Sequence, residues 1–165
     1  MATAIFFASS TGNSEEIANK IASKLGDIEV FDLAGTKIEK INNYDKIILG
    51  GSTWGDGELN DDWEDVWGNF CKLDLSNKTI ALFGLGDQES YSDEFCSALG
   101  IIYEQVISKG AKIVGFTSID TYTLDGSKAQ IDDKFVGLVI DEDNQSDLTD
   151  ERIKNWVNDI KEEIL

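Results

Sequence analysis

The sequence predicts an α/β protein: a doubly wound, five-stranded parallel sheet with helices on both faces and an insertion that splits the last strand. Three observations carry that prediction. Short apolar runs alternate with longer stretches of helical period; most of the runs are continuously apolar, as strands covered on both faces are; and one polar stretch, residues 118–133, breaks the rhythm. The 165 residues fit one domain, 1–165, and a hydrophobic content of 41% supplies a real core.

The elements follow in order. Candidate strands lie at 3–8, 28–33, 46–51, 79–84, 112–117 and 135–140. Between them, Ile17, Ala18, Ile21, Ala22 and Leu25 share one helical face, Trp63, Val66, Trp67 and Phe70 a second, and Phe95, Leu99, Ile102 and Val106 a third. A fourth stripe, Ile153, Trp156, Val157, Ile160 and Ile164, is entered through Thr149 as a cap, with Asp150 and Glu151 in the first turn. If 118–133 separates two halves of one strand, the sheet has five strands and a loop inserted into the last.

Composition excludes several classes. Fourteen basic against 32 acidic residues give a net charge of −18, the opposite of a nucleic-acid footprint. No apolar run approaches a membrane span and the N-terminus lacks a signal-like pattern, so a soluble cytoplasmic protein without a membrane partner is expected. Cys71 and Cys96 make neither a disulfide framework nor a CxxC pair. There is no histidine, hence neither the commonest general base nor the commonest metal ligand, and no proline, so turns rest on Gly, Asn, Asp and Ser.

In open parallel sheets ligands bind beyond the carboxyl ends of the strands. After the first strand comes SSTGNS, Ser9, Ser10, Thr11, Gly12, Asn13 and Ser14, at a helix start. Backbone N–H groups, hydroxyls and the helix dipole there suit one terminal phosphate. A P-loop would need GxxxxGK[ST], and neither that lysine nor that spacing is present. By itself the cluster serves equally well as a plain helix cap. After the third strand comes GSTWGDGELNDDW, where Trp54 lies among glycines and off the stripe of Trp63 and Trp67, a stacking platform for a flat ring. Trp63, Trp67 and Trp156 are core residues. After the fourth strand comes FGLGDQESY, with Gly84 and Gly86 bringing backbone close to something and Tyr91 as a second loop aromatic. Two loop aromatics and one phosphate nest describe a flat ring carrying a single phosphate, flavin mononucleotide.

Over essentially its whole length the chain resembles flavodoxins of the long-chain kind, on the motifs SSTGNSE, STWGDGELNDDWE, FGLGDQESYSDEF and KFVGLVIDEDNQSDLTDERIKNWV. The resemblance implies a flavodoxin-like fold with strand order 2-1-3-4-5 and non-covalently bound FMN. It implies that Ser9 to Ser14 form the phosphate loop. Thr53, Trp54, Gly55, Asp56 and Gly57 would cover one flavin face, with Trp54 stacking. Leu85, Gly86 and Asp87 would meet the pyrimidine edge, Tyr91 the other face, and Asp143 the ribityl side. The stretch 118–133 looks like part of the long-chain insertion. The phosphate loop starts and ends in serine where threonine is frequent, and Glu94, near the polar edge where an amide is sometimes found, is left out of the site.

Aromatics on both flavin faces would deny a substrate access and leave the ring edge for electron exchange. The expected function is therefore a one-electron carrier of low potential, shuttling mainly between semiquinone and hydroquinone, and not an enzyme. One unit charge at ~10 Å, with an effective dielectric constant near 20, costs about 1.7 kcal/mol, roughly 70 mV, so surrounding carboxylates would disfavour an anionic reduced ring. Asp56, Glu58, Asp61, Asp62, Asp87, Glu89 and Asp93 would steer basic redox partners to a monomer. Candidate partners are a flavodoxin/ferredoxin reductase, an oxoacid oxidoreductase or another low-potential enzyme. The alternatives are an FMN-dependent NAD(P)H quinone or nitro reductase on the same fold, and a receiver domain. A receiver would want an acidic pair after the first strand and an aspartate ending the third, where SST and STW stand.

Overall fold

The computed structural model describes residues 3–8, 13–26, 28–54, 58–59, 61–86, 96–119, 122, 127, 129–142 and 144–165. Strand β1 (Thr3–Ala8) is buried along its whole length, as a central parallel strand must be. Helix α1 (Asn13–Leu25) then buries Ile17, Ala18, Ile21, Ala22 and Leu25, the stripe its spacing predicts. Strand β2 (Glu29–Asp32) is shorter than the expected run because it is an edge strand with exposed ends. Strand β3 (Lys46–Trp54) runs three residues past its expected end and turns back into β4 (Glu58–Leu59), which pairs with it antiparallel. Helix α2 (Asp61–Phe70), strand β5 (Thr79–Leu85) and helix α3 (Ser97–Ser108) follow.

Strand β6 (Lys112–Val114) pairs with the first half of β5, through Thr79, Ile80 and Ala81. The chain then leaves the sheet. Short strands β7 (Thr117–Ser118), β8 (Gln130–Ile131) and β9 (Lys134–Phe135) form a separate antiparallel sheet in the order β7-β9-β8. Strand β10 (Leu138–Ile140) re-enters and pairs with the second half of β5, through Phe83, Gly84 and Leu85. Since β3 occupies the whole other edge of β5, β6 and β10 share one edge and act as two halves of a single fifth strand. The parallel sheet therefore runs β2-β1-β3-β5 and then the split strand, the order 2-1-3-4-5.

Local chemistry explains the split. Gly115 takes φ +88°, which favours glycine, and its carbonyl accepts the indole N–H of Trp156 at 2.8 Å. A β-carbon on Gly137 would run into the backbone carbonyl of Leu82, so only glycine lets β10 approach β5 there. The expected strands 112–117 and 135–140 thus each lose residues to the insertion. Within it, Asp132 at φ 55° sits in the two-residue turn between β8 and β9.

Two cores flank the sheet. Phe6, Leu49, Ile80 and Leu82 pack with Trp63 and Phe70 of α2 and Leu99, Ile102 and Val106 of α3. Ile5, Phe7, Ile48 and Phe83 pack on the other face with Ile17 and Ile21 of α1 and with helix α4 (Thr149–Ile164) through Ile153, Trp156 and Ile160. The alternation of neighbouring residues between the two faces is the period-2 pattern of a strand. Lys20 of α1 meets Asp150 of α4 at 3.0 Å across the outside of this layer. Thr149 does not cap α4: the cap position is Leu148, while Thr149 is buried in the first turn and its Oγ1 has no hydrogen-bond partner among the described residues. No helix among the described residues is long and apolar enough to cross a membrane.

Candidate functional site

Four strand ends meet at one rim. Ala8 of β1, Gly51 of β3, Gly84 of β5 and Val139 of β10 lie in one row across the sheet, and the chain leaves the sheet just beyond it. The order reverses between β1 and β3, because β1 leads outward to β2 and β3 leads to the other side. Such a switch point opens a crevice between the connections that leave in opposite directions.

At the end of β1 the structure places Asn13 as the first residue of α1 and Ser14 fully buried beside it, with Glu15 and Glu16 in the same turn. The start of α1 thus follows the end of β1 after four residues, with the helix dipole positive at that end. Ser9, Ser10, Thr11 and Gly12 lie outside the described residues.

Thr53 and Trp54, read from sequence as loop residues, are strand residues of a tight hairpin, paired with Leu59 and Glu58. Gly55, Asp56 and Gly57, outside the described residues, are the three residues that connect its strands. The glycines just before this hairpin serve packing. A β-carbon on Gly51 would come within 2.9 Å of the Trp63 ring, and one on Gly84 within 3.3 Å of Leu99. Gly84 thus makes room for the α3 side of the core. Trp63, Trp67 and Phe70 form an aromatic cluster with ring centroids 5.3 to 6.3 Å apart; Trp63 and Phe70 are core residues, while Trp67, expected in the core, is only partly buried against it.

At the end of β5, Leu85 is buried and the Gly86 N–H donates to the Ile140 carbonyl at 3.1 Å, which joins the exits of β5 and β10. Asp87, Glu89, Tyr91 and Asp93 lie outside the described residues, as do Asp56 and Asp143. Cys96, buried and at φ 53°, stands immediately ahead of α3. Burial first, and the Asp141 carboxylate second, push the Cys96 thiol well above its ordinary pKa, so it is a core group and not a nucleophile.

The turn after β10, where Asp143 was expected at the site, holds further polar groups. Asp141 is fully buried; its carboxylate accepts the Asn144 backbone N–H at 3.0 Å and the Asn144 side-chain amide at 2.9 Å, and its carbonyl accepts the Gln145 N–H at 2.9 Å. Gln145 Oε1 accepts from Arg152 at 2.6 Å. No short motif signals this set; only the spacing DEDNQ after an apolar run, an aspartate followed three residues later by asparagine, could have suggested a turn.

Acidic groups gather beside the hairpin. Partial burial and then the carboxylates of Asp32, Asp65 and Asp61 raise the Asp62 pKa. Asp61 and Asp62 were expected here; Asp65 stands one turn further along α2, and Asp32 joins them from the end of β2 through the fold.

An open parallel sheet with helix start, hairpin and strand exits converging at its switch point defines an α/β protein of the ligand-binding, doubly wound class. The family model for flavodoxin matches residues 5–156. The flavodoxin of Helicobacter pylori is 49% identical over 157 residues, covering 95% of this chain and 94% of its own, and flavodoxin 1 of Escherichia coli strain K12 is 46% identical over 165 residues, covering 98% and 94%. Among solved structures, the Fusobacterium nucleatum flavodoxin bound to flavin mononucleotide superposes with a TM-score of 0.93 at 32% identity, covering 100% of both chains. The chain belongs to the flavodoxin family. Its insertion between β6 and β10 is the feature that the resemblance to the long-chain kind implied.

Proposed function

We propose that this protein is an electron carrier that holds FMN non-covalently at the rim where β1, β3, β5 and β10 end. The observation that carries the reading is the convergence of those ends at the switch point of a chain that aligns end to end with an FMN-bound flavodoxin. The residues present fit the group. A buried serine at a helix N-terminus, with no lysine or arginine between Ser9 and Ser14, suits a phosphate monoester held by backbone N–H groups and hydroxyls.

Ser9, Ser10, Thr11, Gly12, Asn13 and Ser14 would hold the phosphate, and the hairpin tip with Trp54 and Tyr91 would cover the ring faces. Leu85, Gly86 and Asp87 would border the ring edge, and Asp143 the ribityl chain. When bound, the flavin supplies reversible one-electron chemistry. The chain's own residues exclude substrate from the ring faces, orient the ring edge outward and surround it with negative charge. That charge, −18 over the chain, opposes further negative charge on the ring and favours a low-potential donor whose working couple joins the one- and two-electron-reduced forms.

The acidic group of Asp32, Asp61, Asp62 and Asp65 supports docking of basic redox partners, among them a flavodoxin/ferredoxin reductase or an oxoacid oxidoreductase, to a cytoplasmic monomer. Electron-transfer rates that do not change with added salt would sink the docking reading. The function itself is tested by an absorbance spectrum of the purified protein followed through stepwise anaerobic reduction. Two resolved one-electron steps are expected. A single two-electron wave, or oxidation of NAD(P)H without a partner reductase, would overturn the carrier reading and favour a quinone or nitro reductase.

A further inference from the structure

One contact between the insertion and the site end of the sheet runs through Arg152. Arg152 is the only arginine of the chain, against 13 lysines. It stands in the first turn of α4, where the helix dipole disfavours a cation and where Asp150 and Glu151 follow the usual preference. Its position is explained by what it touches. The guanidinium carbon lies 4.1 Å from the ring centroid of Tyr122, in the insertion, and Nη2 donates to Gln145 Oε1 at 2.6 Å, in the turn after β10. Stacking on an aromatic face while donating in the guanidinium plane is a geometry that lysine does not reproduce.

Tyr122 is itself anchored. Its hydroxyl donates to the Val139 carbonyl of β10, and its ring meets Phe135 edge-on at 5.1 Å. From Gln145 the connection continues to the buried Asp141 and, one residue earlier, to Ile140, whose carbonyl holds the Gly86 N–H. Gly86 belongs to the segment assigned to the cofactor's ring edge.

We propose that Arg152 is a positioning residue that pins the insertion, through Tyr122, to the turn after β10, so that the insertion braces the β5 and β10 exits that border the cofactor. The significance of those exits rests on the FMN reading above; the brace itself does not. It gives the insertion a mechanical role inside its own chain.

The test is amide hydrogen exchange on the apo-protein, wild type and Arg152→Met, Arg152→Lys, Tyr122→Leu and the Met/Leu double variant. The Gly86 and Gln145 amides report on the brace, and the Thr79 and Lys112 amides, held by Asp45 and Lys78 carbonyls at the far end of the sheet, are controls. Arg152→Met and Tyr122→Leu should each speed exchange at Gly86 and Gln145 about tenfold beyond the controls, the measure of a broken local contact. The double variant should be no faster than either single one, and Arg152→Lys should fall between. Uniform change at all four amides, or additive effects in the double variant, would overturn the proposal. If Arg152→Met fails to fold, the Arg152→Lys comparison decides alone. FMN titration of the same proteins is read separately: wild-type protein that binds no FMN would sink the cofactor reading and leave the exchange result standing.

Discussion

The indole N–H of Trp63 donates to the Gly50 carbonyl at 2.9 Å, directly behind the hairpin that carries Trp54. The same ring fills the space that a side chain at Gly51 would need. Gly51→Ala should therefore cost about 1–3 kcal/mol by overpacking. Trp63→Phe, which removes a buried donor, should cost a similar amount, about 1–3 kcal/mol. Urea unfolding of the apo-protein measures both; an unchanged midpoint for Gly51→Ala would show that the ring yields.

Gly115→Ala should be worse than an average surface change. It combines a positive φ of +88° with a β-carbon 2.6 Å from Trp156 Nε1. The strained backbone alone costs about 1–2 kcal/mol, and displacing the indole breaks its bond to the Gly115 carbonyl. Thermal unfolding should show a drop of several degrees, and a neutral result would contradict the packing described.

The buried Cys96 thiol makes an alkaline prediction. Its folded pKa lies above the unfolded value, so both states keep the proton at neutral pH and no penalty exists there. Above about pH 9 the unfolded chain loses the proton and the folded one does not. Stability should then fall with rising pH, by up to about 1.4 kcal/mol per unit. Tyr44 and Tyr122, also raised by burial, join only above about pH 10. Cys96→Ala should flatten the curve between about pH 9 and 10. In native protein a thiol reagent should label the half-buried Cys71 and spare Cys96.

Ser14 is fully buried in the first turn of α1. Ser14→Ala, like Thr11→Ala, should weaken FMN binding about ten- to a hundredfold, the range for a hydrogen bond to a charged group, and riboflavin binding far less. Flavin-fluorescence titration of apo-protein compares the two ligands. Equal losses for both would place these residues elsewhere than at the phosphate.

Gly55 connects the hairpin strands with Asp56 and Gly57. If the Gly55 carbonyl turns toward the flavin edge on reduction, a β-carbon there adds about 1 kcal/mol or more of strain. Gly55→Ala should shift the two one-electron potentials apart from their wild-type values, as spectroelectrochemistry would record; unchanged potentials would end that account.

The central strands were legible in the sequence because their burial is local: a run such as Ala4 to Ala8 is apolar at every position and buried at every position. The helical stripes of α1, α3 and α4 were legible for the same reason. What escaped was non-local. Thr53 and Trp54 look like a loop and become strand because Leu59 and Glu58 fold back onto them, while Ser52 pairs with Leu85 of β5. Residues 118–133, polar and without period, hold Ser118 of β7 and the whole of β8, because their partners lie across the insertion. Thr149 reads as a cap by type and is instead buried in the first turn. At the site, Asp141, Gln145 and Arg152 could not be read from residue types, since their link crosses from one element to another.

The pairing of the last strand has a consequence for engineering. Lys112 to Val114 match Thr79 to Ala81, and Leu138 to Ile140 match Phe83 to Leu85, so the two halves are separated by one position of β5, Leu82, against which Gly137 packs. A shortened chain in which one residue replaces 115–137 would keep both halves in register and restore an unbroken edge. Such a protein would lose, with Tyr122, the fully buried Ala129, Phe135 and Val136 and the Gly115 carbonyl that holds Trp156, so its unfolding midpoint would measure how much of the core the insertion supplies.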